Sequence, residues 1–197
     1  MIVLGIDPGT ANTGYGVIRD DGLGLVSLLE CGVIRTRPRD KLPARLREIY
    51  DGVAELIVRH RPDALSVEDV FYSRNVRTTV VLGHARGVIL LAGEQHHLDI
   101  HEFPPAEIKK AVVGTGAATK EQVQFMLTRL LRLKSVPQPS DAADGVAAAL
   151  AYSMSARVPS GEQRQGRVPD RAADRARREA AVARAAARIA AQRGGGA

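Results

Sequence analysis

Four acidic side chains occupy positions from which carboxylates can do chemistry. Asp7 closes the apolar run Ile2-Val3-Leu4-Gly5-Ile6, and Glu68 closes a second such run, Ala64-Leu65-Ser66-Val67. Asp141 and Asp144 stand three residues apart just after Pro139-Ser140, a helix-start signal, with Ser140 as the expected N-cap. At that spacing they share one helix face. No His or Cys cluster accompanies them, so a transition-metal cage is excluded and any metal must be held by oxygen. Four carboxylates do not pack together ionised without cations, because like charges drive protonation or recruit metal. Two Mg²⁺ ions balance four carboxylates, and magnesium suits all-oxygen sites that also bind phosphate. A pair of ions about 3.5 to 4 Å apart brackets the attacking and leaving oxygens of an in-line phosphoryl displacement. Other readings of the same residues stay open here: a turn-initiating Asp before Pro8-Gly9, and electrostatic capping of a helix dipole by Asp141 and Asp144.

The elements that must position these acids are legible from periodicity. Pro8-Gly9 predicts a type II turn after the first strand, with φ > 0 at Gly9. Alternation puts Asp7 on the same face as Val3 and Gly5. Thr13 to Arg19 and Leu25 to Ile34 read as two further strands joined through Asp21-Gly22, forming an antiparallel meander. Gly14 and Gly16 share a face of the second strand, which implies close approach of something to its backbone. Leu42, Leu46, Ile49, Val53, Leu56 and Ile57 recur at helical spacing, so residues 41 to 60 are expected to form a helix with one buried face. The strand ending in Glu68 is reached by that crossover and should therefore be parallel. Residues 73 to 95 read as a long helix carrying Gly83 and Gly87, small residues that allow close packing of another element. A short strand from Asp99 to Phe103, a helix opened by Pro104-Pro105, and an amphipathic helix capped by Thr119 and Gln122 come next. The apolar run from Gly145 to Met154 reads as a helix buried nearly all round.

Two further groups bear on ligands. Phe71-Tyr72-Ser73-Arg74-Asn75 puts two adjacent aromatics beside a cation, in a chain with only seven Phe and Tyr and no Trp. Such a loop suits base stacking and phosphate contact, although a hydrophobic staple on the next helix fits the aromatics as well. Lys109 and Lys120 flank the Gly114-Thr115-Gly116 break, either as solvated surface lysines or as groups facing phosphate.

Composition narrows the class. The chain has 197 residues, 45% hydrophobic and 25% charged, as in a globular protein with one substantial core. No apolar run approaches spanning length and no basic leader precedes the first, so a cytoplasmic protein without a membrane segment is expected. Cys31 is the only cysteine, which excludes an internal disulfide. The net charge of +6 is confined to one end. Residues 156 to 197 hold ten Arg against Glu162, Asp170, Asp174 and Glu179, whereas residues 1 to 155 hold 18 basic and 18 acidic side chains. Two regions follow: a domain over 1–156, and a basic Ala/Arg-rich tail over 157–197 whose residues 170 to 192 have high helix propensity.

The ordered set Gly5-Ile6-Asp7-Pro8-Gly9-Thr10, Thr13-Gly14-Tyr15-Gly16, Glu68-Asp69-Val70-Phe71 with Asn75, Gly83-His84-Ala85-Arg86-Gly87, Val112-Val113-Gly114 and Asp141-Ala142-Ala143-Asp144 resembles the RuvC family of Holliday-junction resolvases. The resemblance covers residues 1 to about 156. It implies an α/β, RNase H-like mixed sheet flanked by helices. It also implies a homodimeric endonuclease that depends on Mg²⁺, with Mn²⁺ as a substitute, and resolves four-way DNA junctions by symmetric paired nicks in recombination and repair. Partnership with the RuvA and RuvB branch-migration proteins comes with it. Carried over by position, Asp7, Glu68, Asp141 and Asp144 correspond to the catalytic, metal-binding acids. Phe71 corresponds to the aromatic that meets unpaired bases; Tyr72, Arg74 and Asn75 stand beside it as DNA-contact candidates on the residue types of the loop itself. Lys109 and Lys120 correspond to basic residues near the scissile phosphate. The chain departs from the pattern at Gly145, where a larger apolar residue is usual, and in its tail.

Two other classes deserve comparison. An actin-like or sugar-kinase-like nucleotide binder also opens with a strand, Asp, Gly and Thr, but needs a second copy of the fold and a second Gly-rich phosphate loop, which the sequence lacks. A non-catalytic DNA scaffold would have no reason to carry all four acids.

Overall fold

A computed structural model of the chain describes residues 1–69 and 76–157, together with eight helical positions between 176 and 187. Strands β1 (Ile2–Asp7), β2 (Asn12–Asp20) and β3 (Val26–Arg35) form the antiparallel meander. Strands β4 (Ala64–Glu68) and β5 (Asp99–Phe103) join in parallel, so the five-stranded sheet runs β3-β2-β1-β4-β5. The short links allow the hairpins, and the parallel pairs require crossovers. Those crossovers are α1 (Leu42–His60) and α2 (Val76–Gln95). The part of the long helix expected at 73 to 75 lies outside the described residues.

The strand faces divide the core in two. Leu4, Ile6, Val17, Leu65 and Val67 turn toward α1 and α2, where Ile49, Val53, Ile57 and Ile89 are fully buried against them. Val3, Ile18 and Ala64 turn the other way, toward α3 (Pro105–Val113), α4 (Lys120–Leu130) and α5 (Ser140–Ser155). As its composition predicts, α5 is buried on nearly every side. Its alanines and Gly145 let its backbone lie directly on β1 and β2, which is the close approach that Gly14 and Gly16 predict. Ser66 Oγ donates to the Ala148 carbonyl at 2.7 Å and so holds the helix to β4. The far end of α5 is tied to β2. Ser153 Oγ donates to Asp20 Oδ2 at 2.6 Å, and Arg157 donates to both Asp20 oxygens at 2.7 and 3.1 Å. Burial alone would raise the Asp20 pKa, but these donors and the Gly22 amide outweigh it and hold the carboxyl at about 2.

Two local expectations are corrected. Gly9 does not adopt the left-handed backbone of a type II turn. The chain instead folds back on itself, so a Cβ at Gly9 would lie 1.9 Å from the Asn12 carbonyl oxygen, while Thr13 Oγ1 donates to the Gly9 carbonyl at 2.6 Å. Glycine is needed there for space, not for φ. The N-cap of α5 is Pro139, with φ −67° and ψ 177° and no side-chain cap, and Ser140 is already the first helical residue. Proline's fixed φ suits the extended cap geometry, which moves the start one residue upstream. The Thr119–Gln122 capping box forms as expected, with Gln122 Oε1 accepting from the Thr119 amide at 2.8 Å. No helix among the described residues is long and apolar enough to cross a membrane.

Candidate active site

Asp7 is the last residue of β1 and Glu68 the last of β4. Ile6 pairs with Val67 one step earlier, so both carboxylates leave the same end of the sheet on neighbouring strands. Asp7 is also paired with Gly14 on β2. A Cβ at Gly14 would fall 1.9 Å from the Asp141 carbonyl oxygen, so the first turn of α5 rests on the backbone beside Asp7. One turn on, a Cβ at Gly145 would fall 2.5 Å from the Tyr15 Cα. The departure at Gly145 thus has a structural reason: in this chain the helix lies too close to β2 for a side chain at that position.

This packing brings the acids together. Oxygens of Asp7, Asp141 and Asp144 all lie within 4.8 Å of one another. Glu68 stands outside that set but borders it electrostatically. Its carboxyl is pushed up to about 8, first by burial and then by the charges of Asp7 and Asp144. Asp7 is raised to about 7 by burial, Asp144 and Asp141. Asp144 is raised as well, by burial, although Lys120 acts in the opposite sense. Half-buried carboxylates this close together hold protons near neutral pH unless cations compensate them. The donor set is hard oxygen throughout, which fits magnesium or a similar divalent ion.

Lysine side chains supply part of that compensation. Lys120, at the start of α4, donates from Nζ to Asp144 Oδ2 at 2.6 Å. Burial alone would lower its pKa, but the Asp144 hydrogen bond and the charges of Asp144, Asp141 and Asp7 raise it, so it stays an ammonium ion. The charge of Lys109 on α3 likewise lowers the pKa of both Glu68 and Asp144. Among the lysines flanking the Gly114 break, the reading as purely solvated surface groups therefore fails for Lys120.

One supporting residue escaped the sequence reading. Arg86 on α2 pairs through Nη2 with Asp69 Oδ1 at 3.2 Å and with Glu102 on β5. Asp69 follows Glu68 directly, and its amide donates to the Phe103 carbonyl at 2.9 Å. Arg86 thus clasps the sheet from the side opposite the acids, immediately behind Glu68. Its membership of the Gly83-His84-Ala85-Arg86-Gly87 run was visible, but a long-range ion pair has no local sequence signal. The four loop residues Phe71, Tyr72, Arg74 and Asn75 lie outside the described residues, as does most of the tail.

Comparison with known proteins points the same way. The family model described as "Crossover junction endodeoxyribonuclease RuvC" matches residues 3–152. The crossover junction endodeoxyribonuclease RuvC of Desulforamulus reducens is 44% identical over 154 residues, covering 78% of this chain and 94% of that protein. That of Pelotomaculum thermopropionicum is 44% identical over 153 residues, covering 78% and 93%. Thermus thermophilus RuvC in complex with a Holliday junction substrate superposes with a TM-score of 0.76 at 36% identity, covering 80% of this chain and 95% of that one. The yeast mitochondrial Holliday junction resolvase Ydc2, at 14% identity and a TM-score of 0.59, shares the fold.

Proposed function

The chain belongs to the RuvC family of crossover junction endodeoxyribonucleases, and from that premise we propose that it resolves four-way DNA junctions by symmetric nicks in paired strands. The observation that carries this reading is the convergence of Asp7, Asp141 and Asp144 within 4.8 Å, with Glu68 alongside, at one end of an RNase H-like sheet.

In this reading Asp7, Glu68, Asp141 and Asp144 are the catalytic acids and would hold two Mg²⁺ ions, or Mn²⁺ in their place. When bound, such ions stabilise charge on the attacking and leaving oxygens of the scissile phosphodiester. The protein's own part is positional. Strand ends fix Asp7 and Glu68, the first turns of α5 fix Asp141 and Asp144, and Lys120 opposes the rise that burial imposes on the Asp144 pKa while offering an ammonium to a phosphate oxygen. Lys109 adds positive charge at the rim. Phe71, with Tyr72, Arg74 and Asn75, would meet unpaired bases at the crossover.

A junction with two-fold symmetry calls for a two-fold protein. Helix α2 offers the face: Val76, Val80 and Leu91 are exposed along it, and a Cβ at Gly83 or Gly87 would meet nothing within 4 Å among the described residues. A homodimer through α2 places two acid clusters on one junction. RuvA and RuvB are the proposed partners, and the cytoplasm the proposed compartment. We assign the nuclease to a domain over 1–156 and residues 157–197 to a basic tail; with Arg157 paired to Asp20, the remaining formal charge of +5 over 158–197, nine Arg against four acids, raises DNA affinity without regard to branching.

The test compares Mg²⁺-dependent cleavage of a synthetic four-way junction with ATP turnover and with simple binding. Paired nicks support the nuclease. ATP turnover without nicks would point to a nucleotide binder, and binding alone to a scaffold.

A further inference from the structure

Residues 1–155 are formally neutral, yet one segment of them is strongly basic. Residues 35–47 contain Arg35, Arg37, Arg39, Lys41, Arg45 and Arg47 against the single acid Asp40. All but Arg45 are exposed, and among the described residues none of the six makes an ion pair. A solvated face of a stable domain normally intersperses both signs of charge. This one does not.

The segment is also held rigidly beside the acid cluster. It leaves β3 at Arg35, which pairs with Asn12. The Thr36 amide donates to the Ala11 carbonyl at 3.0 Å, and Thr36 Oγ1 donates to the Thr10 carbonyl at 2.5 Å. Arg45 Nε, from the first turns of α1, donates to Thr36 Oγ1 at 2.9 Å. Thr36 is buried, so the loop is pinned to the turn that directly follows Asp7. The register adds direction. Asp7 pairs with Gly14, Gly14 with Val33, and Arg35 lies two residues beyond, on the same face of the sheet as Asp7. Strand spacing puts the backbones of Asp7 and Arg35 about 12 Å apart. Duplex DNA carries a phosphate about every 3.4 Å of axis on each strand. A duplex whose backbone enters the acid cluster therefore presents further phosphates to Arg35 and to the exposed basic loop that continues from it.

We infer that segment 35–47 is a phosphate-gripping rim, which binds the sugar-phosphate backbone of a duplex arm next to the carboxylate cluster. The inference rests on the reading of this chain as a DNA nuclease and adds the surface that holds the arm. Its unpaired guanidinium groups suit phosphate oxygens, which they can meet bidentately. Backbone contacts of this kind position the duplex and carry no information on sequence or branching.

The experiment uses the full-length chain carrying Asp7→Asn, so that DNA is bound and not cut. A labelled four-way junction and a plain duplex with the sequence of one arm are titrated over a range of salt concentrations. The triple variant Arg35→Gln, Arg37→Gln, Arg39→Gln should flatten the slope of log K against log salt by about 0.9 for each phosphate it no longer neutralises, and weaken binding about 10- to 100-fold near physiological salt, equally for both probes. Arg19→Gln, exposed toward the opposite end of β2, should leave the slope unchanged. If the triple variant melts early, the single reversal Arg39→Glu carries the same test. An unchanged slope and affinity in the variants overturns the rim. A parent protein that binds junction no better than duplex contradicts the functional reading instead, while the duplex titration still reports on the rim.

Discussion

Lys120 on α4 and Asp144 on α5 meet at 2.6 Å, Nζ to Oδ2, inside a cluster where Asp7 and Glu68 are pushed toward protonation. The contact joins two helices that sequence alone reads separately, and it gives one side chain two tasks: countering the rise in the Asp144 pKa and presenting positive charge to the substrate. Replacing Lys120 by Met should raise the Asp144 pKa further and slow junction cleavage about 10²- to 10³-fold, the usual effect of losing one preorganised electrostatic partner. Single-turnover cleavage at saturating DNA checks this, and a loss below threefold would reduce Lys120 to a surface lysine.

The raised acids set the pH dependence of stability. Asp7 and Glu68 have folded pKa values of about 7 and about 8, above their ordinary values of 3.8 and 4.5, so the folded state binds more protons than the unfolded state between those limits. Stability of the metal-free protein should therefore decline as pH rises from about 4 to 8. Asp20, depressed to about 2, acts in the opposite sense, but only below about pH 4. Mg²⁺ competes with the same protons, so its stabilising effect should grow across that range. Thermal melts at pH 5 and pH 8, with and without Mg²⁺, test this; a metal-free Tm that does not fall between them contradicts it.

Where α5 crosses the glycines of β2 there is no room for a side chain. A Cβ at Gly16 would lie 2.5 Å from the Val146 Cα, a backbone atom that cannot swing aside. Gly16→Val should cost about 1 to 3 kcal/mol or more, and should also weaken metal binding by lifting Asp141 and Asp144 away from Asp7. Urea midpoints together with Mn²⁺ titrations will show whether the two effects travel together.

On α2 the same substitution logic gives the opposite result. A Cβ at Gly87 meets nothing within 4 Å among the described residues, so Gly87→Leu should leave folding intact. It should abolish self-association if α2 is the dimer face, with paired nicking replaced by slow, uncoordinated nicks. Sedimentation would reveal a monomer, whereas an unchanged dimer would place the interface elsewhere.

Much of this was legible in the sequence because it is written locally. An apolar run that ends in an acid reports a strand end, and paired glycines report something lying on a backbone. The Thr119–Gln122 box needs only three residues of spacing. What stayed hidden was long-range. Nothing near Arg86 in sequence announces Asp69 and Glu102, and nothing near Lys120 announces Asp144. Gly9 shows the converse error, where a familiar turn dipeptide suggested a φ value and the structure uses glycine only to let the chain pass Asn12. Gly145 looked like a departure from the family pattern, and only the depth of α5 on Tyr15 explains it.

The most direct measurement is junction cleavage by single acid variants. Asp7→Asn, Glu68→Gln and Asp141→Asn keep shape while removing charge, and affinity for DNA comes chiefly from phosphate contacts that these changes do not touch. With a synthetic four-way junction and Mg²⁺, the unaltered protein should nick two strands symmetrically. Each variant should still bind the junction with near-normal affinity and should cut it at least about 10³-fold more slowly. Near-normal cleavage by any one of the three would contradict the assignment of that residue to the catalytic centre, and near-normal cleavage by all three would contradict the account.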